Sequence, residues 1–190
     1  RLHLPIEKEE IVSPPAAAVR FLRKQGNPSC YLVIMDEIRE DFAGIPETDN
    51  RPDYVVIGKI GERWDYRLMD KLFHLIVDGA SLIALHKDRY TMTEEGLKIE
   101  FGAFIAGLEY ATGKEALVIG KPSPAFFQSA LDGLGLPPER VAMIGDDLLS
   151  DVHGAQNAGM RGFLVQTGKY REALVQQSPI QPDGIVPSIA

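Results

Sequence analysis

Short runs rich in Val, Ile and Leu recur along the chain, each followed by a helix-length stretch. They are Tyr31–Met35, Tyr54–Gly58, Leu82–Leu85, Leu117–Gly120, Val141–Gly145 and Gly162–Val165. Runs that are apolar throughout, rather than alternating, suit strands covered on both faces of a parallel sheet. The stretches between them carry helical period. Met69, Leu72, Phe73 and Ile76 fall at i, i+3, i+4 and i+7, and Phe127, Ala130, Leu131 and Leu134 repeat that spacing. Ser13-Pro14 and Ser123-Pro124 each place a hydroxyl at an N-cap and a proline at the first helical position. Gly26, Gly79 and Gly135 stand where the stripes stop, as C-cap glycines do, and Gly102-Ala103 opens a further helix. A last strand is expected near Ile185–Val186. Alternating strands and helices predict an α/β protein.

Composition narrows the function classes. A chain of 190 residues, 45% apolar and 25% charged, can form one large domain or two small ones. No apolar run approaches the roughly 20 residues that cross a bilayer. A net charge of −7 with no long basic run argues against nucleic acid or an anionic membrane as partner. One cysteine, Cys30, cannot form an internal disulfide, which fits a reducing compartment and predicts a cytoplasmic protein. Gly44–Asp53 reads as a loop, and a cut into two lobes is expected near Ala111–Glu115. The chain opens at Arg1 with no Met and no apolar signal core, as the middle of a longer protein would.

The segment most suggestive of chemistry is Gly145-Asp146-Asp147-Leu148-Leu149-Ser150-Asp151. An apolar strand ends in a glycine, two carboxylates follow at its carboxyl end, and a third stands at the start of a helix. In open α/β sheets that edge is where ligands bind. Three carboxylates so close repel one another unless a cation offsets them, and magnesium, a hard ion with oxygen ligands, is the natural one. The alternative is that Asp151 or Ser150 caps the helix and Asp147 is solvated. Lys121, between a strand and a proline-started helix, also projects from a carboxyl edge and could hold a phosphate as a point cation. Other candidates are weaker. His3, His74, His86 and His153 lack zinc-site spacing, and Ser13, Ser123 and Cys30 lack an arrangement for nucleophilic catalysis. His86-Lys87-Asp88-Arg89 reads either as substrate-facing or as a polar exit from a strand, and Glu7–Glu10 as a solvated helical face. There is no Walker loop and no GxGxxG.

Gly120-Lys121-Pro122, followed by a Gly-Asp-Asp-x-x-x-Asp whose first aspartate stands 25 residues after the lysine, resembles motifs III and IV of the haloacid dehalogenase-like hydrolases. The Pro-x-x-Phe-Phe helix between them, Gly154–Met160 and Thr167-Gly168-Lys169-Tyr170 add to the likeness. The resemblance implies an α/β, Rossmann-like hydrolase core with an inserted α/β cap of the class IIA branch. It divides the chain into a core or linker remnant at 1–12, a cap at 13–114, and the C-terminal part of the core at 115–190. It also implies a mechanism in which a motif I aspartate attacks phosphorus and forms an aspartyl-phosphate, with a second aspartate as acid and base. Asp146 would then bind Mg2+, Asp147 and Asp151 would support it, and Lys121 would bind the transferring phosphoryl group. The expected partner is a small phosphorylated substrate, and a homodimer through the cap is a family habit.

The chain departs from the family pattern in one large respect. No Asp-x-Asp pair occurs in it, so the nucleophile and acid/base aspartates, with motif II, are expected upstream of Arg1. On that reading no catalytic residue is present, the chain alone is inactive, and Val141–Gly145 lacks a main-chain neighbour. His86-Lys87-Asp88 also replaces the Asn-x-Asp common in the branch. The competing reading is a non-catalytic interaction protein that keeps the hydrolase fold. A phospho-receiver domain fits less well, because its acidic residues precede its lysine.

Overall fold

The computed structural model describes Glu7, residues 10–93 and residues 96–189. His3, most of the expected 1–12 remnant and residues 8–9 of the Glu7–Glu10 stretch lie outside the described residues. The chain divides into two compact units, Pro14–Gly120 being one, while the other takes the residues up to Ser13 and from Lys121 onward. In sequence, the first is thus an insertion into the second.

The inserted unit alternates strand and helix as its apolar runs require. It contains α1 (Pro14–Lys24), β1 (Cys30–Val33), β2 (Tyr54–Ile57), α2 (Tyr66–Val77), β3 (Ser81–Ala84), β4 (Tyr90–Thr93), β5 (Gly96–Ile99), α3 (Gly102–Thr112) and β6 (Leu117–Val118). Four strands form a parallel sheet in the order β1-β2-β3-β6. The α2 stripe closes on it, burying Leu72 and Ile76 against Val55, Ile57, Ile105 and Leu108. Asp65 starts α2 by accepting the Leu68 N–H at 2.7 Å.

Two findings depart from the sequence expectations. Leu117–Val118 pairs with Ile83–Ala84, inside the inserted unit, rather than opening the C-terminal part. A two-residue strand has no periodicity to show its neighbour, so pairing across 34 residues decides it. The second finding is an antiparallel hairpin, β4 with β5, just beyond His86–Arg89. The apolar-run pattern does not mark this segment, because its apolar residues alternate with threonine and lysine, whereas a strand covered on both faces is apolar throughout.

The other unit holds α4 (Pro124–Leu134), β7 (Ala142–Gly145), a π-helical turn (Leu148–His153) running into α5 (Gly154–Asn157), β8 (Arg161–Val165), α6 (Glu172–Gln177) and β9 (Gly184–Val186). Ser123 caps α4, and Gly135 ends it in the left-handed region. The sheet is parallel, in the order β7-β8-β9. The expectation that Val141–Gly145 lacks a main-chain neighbour is therefore corrected. Residues 142–145 pair with 161–164, because a short crossover through the π-turn and α5 returns β8 alongside. The other edge of β7 carries no strand among the described residues, and Ile144 of that strand is 51% exposed. Among the described residues no helix is long and apolar enough to cross a membrane.

Ile76 is fully buried in the inserted unit's core. Ile76→Ala should therefore destabilise the protein by about 2–5 kcal/mol. Urea unfolding should show a lower midpoint at an unchanged slope.

Candidate active site

The site grows from the carboxyl end of β7. Three carboxylates leave the strand within six residues, yet the fold sends each to a different partner. Asp151, from the π-turn, is buried, with its side chain 4% exposed, and its Oδ1 accepts from Lys121 Nζ at 2.6 Å. Its Oδ2 accepts the Asp147 backbone N–H at 3.1 Å. Room for this approach comes from Gly145, where a Cβ would collide with the Asp151 carboxylate. Lys121 reaches it from the turn that precedes α4, 30 residues away in sequence.

Asp147 is the helix cap. Its Oδ1 accepts the N–H groups of Leu149 and Ser150 at 3.0 and 2.9 Å, and its Oδ2 accepts from Lys169 Nζ at 2.9 Å. This corrects the alternative sequence reading, in which Asp151 or Ser150 capped the turn and Asp147 was solvated. The physical reason is position: Asp147 alone precedes the turn with extended backbone, as an N-cap must. Burial works to raise the Asp147 pKa, but the Ser150 N–H and the Lys169 ammonium outweigh it and hold the carboxyl below its ordinary value.

Asp146 Oδ2 accepts the Lys169 backbone N–H at 2.9 Å. Gly168, with φ 57°, turns the chain so closely under this carboxylate that a Cβ would strike it. Arg171 fixes the loop by donating to the carbonyls of Gly168 and Tyr170 at 3.1 and 2.6 Å. A hollow of about 300 Å³ beside Asp146 and Asp147 is lined further by Leu149, Lys169, Tyr170 and Leu174.

The structure thus joins Lys121 to Asp151, and Asp146 to Asp147 through Lys169. No hydrogen bond or ion pair joins Lys121 to Asp146 among the described residues. Nor do three or more His, Cys, Asp or Glu side chains group there as a metal cage. Asp146 nonetheless suits a hard cation as one carboxylate ligand, since no hydrogen bond reaches its Oδ1 among the described residues. Magnesium typically takes one or two carboxylates and completes its shell with water and phosphate. Lys169 went without a role in the sequence reading; its loop was legible only as part of a motif, because its contacts are tertiary.

This arrangement, with a lysine just before one helix and an acidic strand end before the next, lies in an α/β fold that the chain shares with known proteins. Residues 118–190 match a family model described as HAD-hydrolase-like. The chain is 47% identical over 173 residues to bovine haloacid dehalogenase-like hydrolase domain-containing protein 2, covering 91% of this chain and 66% of that relative. It therefore spans just under two thirds of that relative's length. It is 40% identical over 192 residues to human phospholysine phosphohistidine inorganic pyrophosphate phosphatase, covering 100% of this chain and 70% of the relative. Among solved structures it superposes on the p-nitrophenyl phosphatase from Archaeoglobus fulgidus with a TM-score of 0.89 at 28% identity, over 97% of this chain and 74% of that one. A glycerol phosphate phosphatase from Mycobacterium tuberculosis, in complex with magnesium, gives 0.84 at 25% identity, over 97% and 58%. The chain belongs to the haloacid dehalogenase-like hydrolase family.

Two tests follow from the geometry. Lys121→Met should destabilise more than Asp151→Asn, because it leaves a buried carboxylate without its cation while Asn keeps an acceptor for the Asp147 N–H. The reverse order in urea midpoints would count against the pairing. The second test uses pH. A carboxyl held below its unfolded value, about 3.9, stabilises above that pH and loses its contribution as pH falls through the folded value. Wild type should therefore exceed Asp147→Asn in stability at neutral pH, with the gap closing on acidification below about pH 4.

Proposed function

We propose that the protein is a magnesium-dependent phosphatase acting on a small phosphorylated molecule. In this reading the nucleophilic and acid/base aspartates come from sequence preceding Arg1, and the nucleophile carries an aspartyl-phosphate between its two half-reactions. The observation that carries the reading is the Lys121–Asp151 pair beside a strand end whose Asp146 keeps one oxygen without a hydrogen bond among the described residues. The phosphatases among its relatives support it.

The chain's own residues divide the work. Lys121 binds the transferring phosphoryl group as a point charge, and Asp151 holds its ammonium in place. Asp146 would hold the metal, and the Lys169 backbone N–H fixes the orientation of its carboxylate. Asp147 secures the turn that carries Asp151 and draws Lys169 close to Asp146. When bound, magnesium supplies positive charge to the phosphate oxygens. The 190 residues alone contain no Asp-x-Asp pair and, on this reading, release no phosphate.

The test is phosphate release from 4-nitrophenyl phosphate by the protein extended upstream of Arg1. Turnover should require magnesium, and Asp146→Asn should lower it by a factor on the order of 10² or more. Magnesium-independent turnover, or turnover indifferent to Asp146→Asn, would defeat the reading.

A further inference from the structure

The inserted unit contains a cavity of about 410 Å³, within the size range of small-molecule sites. It lies where the loop after β2 meets the hairpin and the start of α3, toward the carboxyl end of the parallel sheet, the edge where α/β proteins bind ligands. Its walls are aromatic. Trp64 and Phe104 stack with centroids 4.5 Å apart and planes 3° from parallel, and Phe101 is buried beside them. The one carboxylate held inward is Glu100, whose side chain is 11% exposed. The other charged groups, Lys59, Glu62 and Lys98, are exposed, with side-chain exposures of 56%, 95% and 64%.

These charges have a consistent sense. Lys59 Nζ stands 3.2 Å from Glu100 Oε1, so the carboxylate already receives an ammonium from the solvent side. No hydrogen bond reaches Glu100 Oε2 among the described residues. Behind Phe101 stands His86, ring to ring at 4.3 Å. Burial pushes its imidazole pKa down, so it adds no cation to the floor at neutral pH. Aromatic faces are electron-rich and attract organic cations, and more strongly where water is excluded. A buried carboxylate among such faces favours an ammonium and penalises an anion.

We propose that this cavity binds a small organic ammonium with a flat apolar body, the ammonium on Glu100 and the body against the Trp64–Phe104 stack. The site uses only the inserted unit, so it stands whether or not the phosphatase reading holds.

Trp64 is the chain's single tryptophan, so its emission reports this cavity alone. The experiment titrates the 190-residue chain with 2-phenylethylammonium and, separately, with its anionic counterpart 3-phenylpropionate. The ammonium should give a saturable change, at least tenfold tighter than any change with the carboxylate. Glu100→Gln should weaken it at least tenfold, whereas Glu62→Gln, at the exposed rim, should leave it unchanged. No saturation with the ammonium, equal affinity for the anion, or indifference to Glu100→Gln would overturn the proposal. If Glu100→Gln fails to fold, the comparison of the two ligands on the unaltered chain still decides.

Discussion

The ion pair between Lys121 and buried Asp151 organises the acidic strand end. A carboxylate so buried requires a cation and further donors to offset the hydration it has lost. Lys121 supplies the cation from the turn before α4, and the Asp147 backbone N–H supplies the second bond. Satisfying Asp151 therefore fixes the peptide at Asp147, which leaves the Asp147 side chain free to cap the π-turn. That cap draws in Lys169, and the Lys169 backbone in turn fixes Asp146. One buried charge thus orders a succession of contacts ending at Asp146, the carboxylate proposed to meet a metal.

Charge balance explains why this cluster is tolerable without a metal. Three carboxylates are met by two ammonium groups and by four backbone N–H donors, those of Asp147, Leu149, Ser150 and Lys169. Asp146 is the least compensated member, with one backbone donor and no ammonium of its own. It is the position where an added cation gains most and displaces least. The glycines at 145 and 168 are part of the same device, since each lets a carboxylate approach backbone that any side chain would block.

Much of this was legible in the sequence, for physical reasons that also mark where legibility stops. The six apolar runs became strands because short runs of Val, Ile and Leu between helical stripes mark parallel strands, even where, as in β6 and β7, the strand is only partly covered; Gly26, Gly79 and Gly135 all adopt positive φ. The hairpin at 90–99 escaped because its alternation mixes threonine and lysine with apolar residues. The partner of Leu117–Val118 escaped because a two-residue strand carries no register information. Within the site, Asp146, Asp147, Asp151 and Lys121 were visible as residue types, but which carboxylate caps and which pairs depends on tertiary geometry. Lys169 and Glu100 were invisible as site residues, since each acquires its partner only through folding.

The most direct test is a crystal structure of the protein extended upstream of Arg1, grown with magnesium and vanadate. The account predicts an Asp146 oxygen about 2.0–2.1 Å from the metal, as magnesium coordination requires. It also predicts Lys121 Nζ within hydrogen-bond distance of a vanadate oxygen, with Asp151 still against that ammonium. A metal with no Asp146 ligand, or an oxyanion bound away from Lys121, would contradict it.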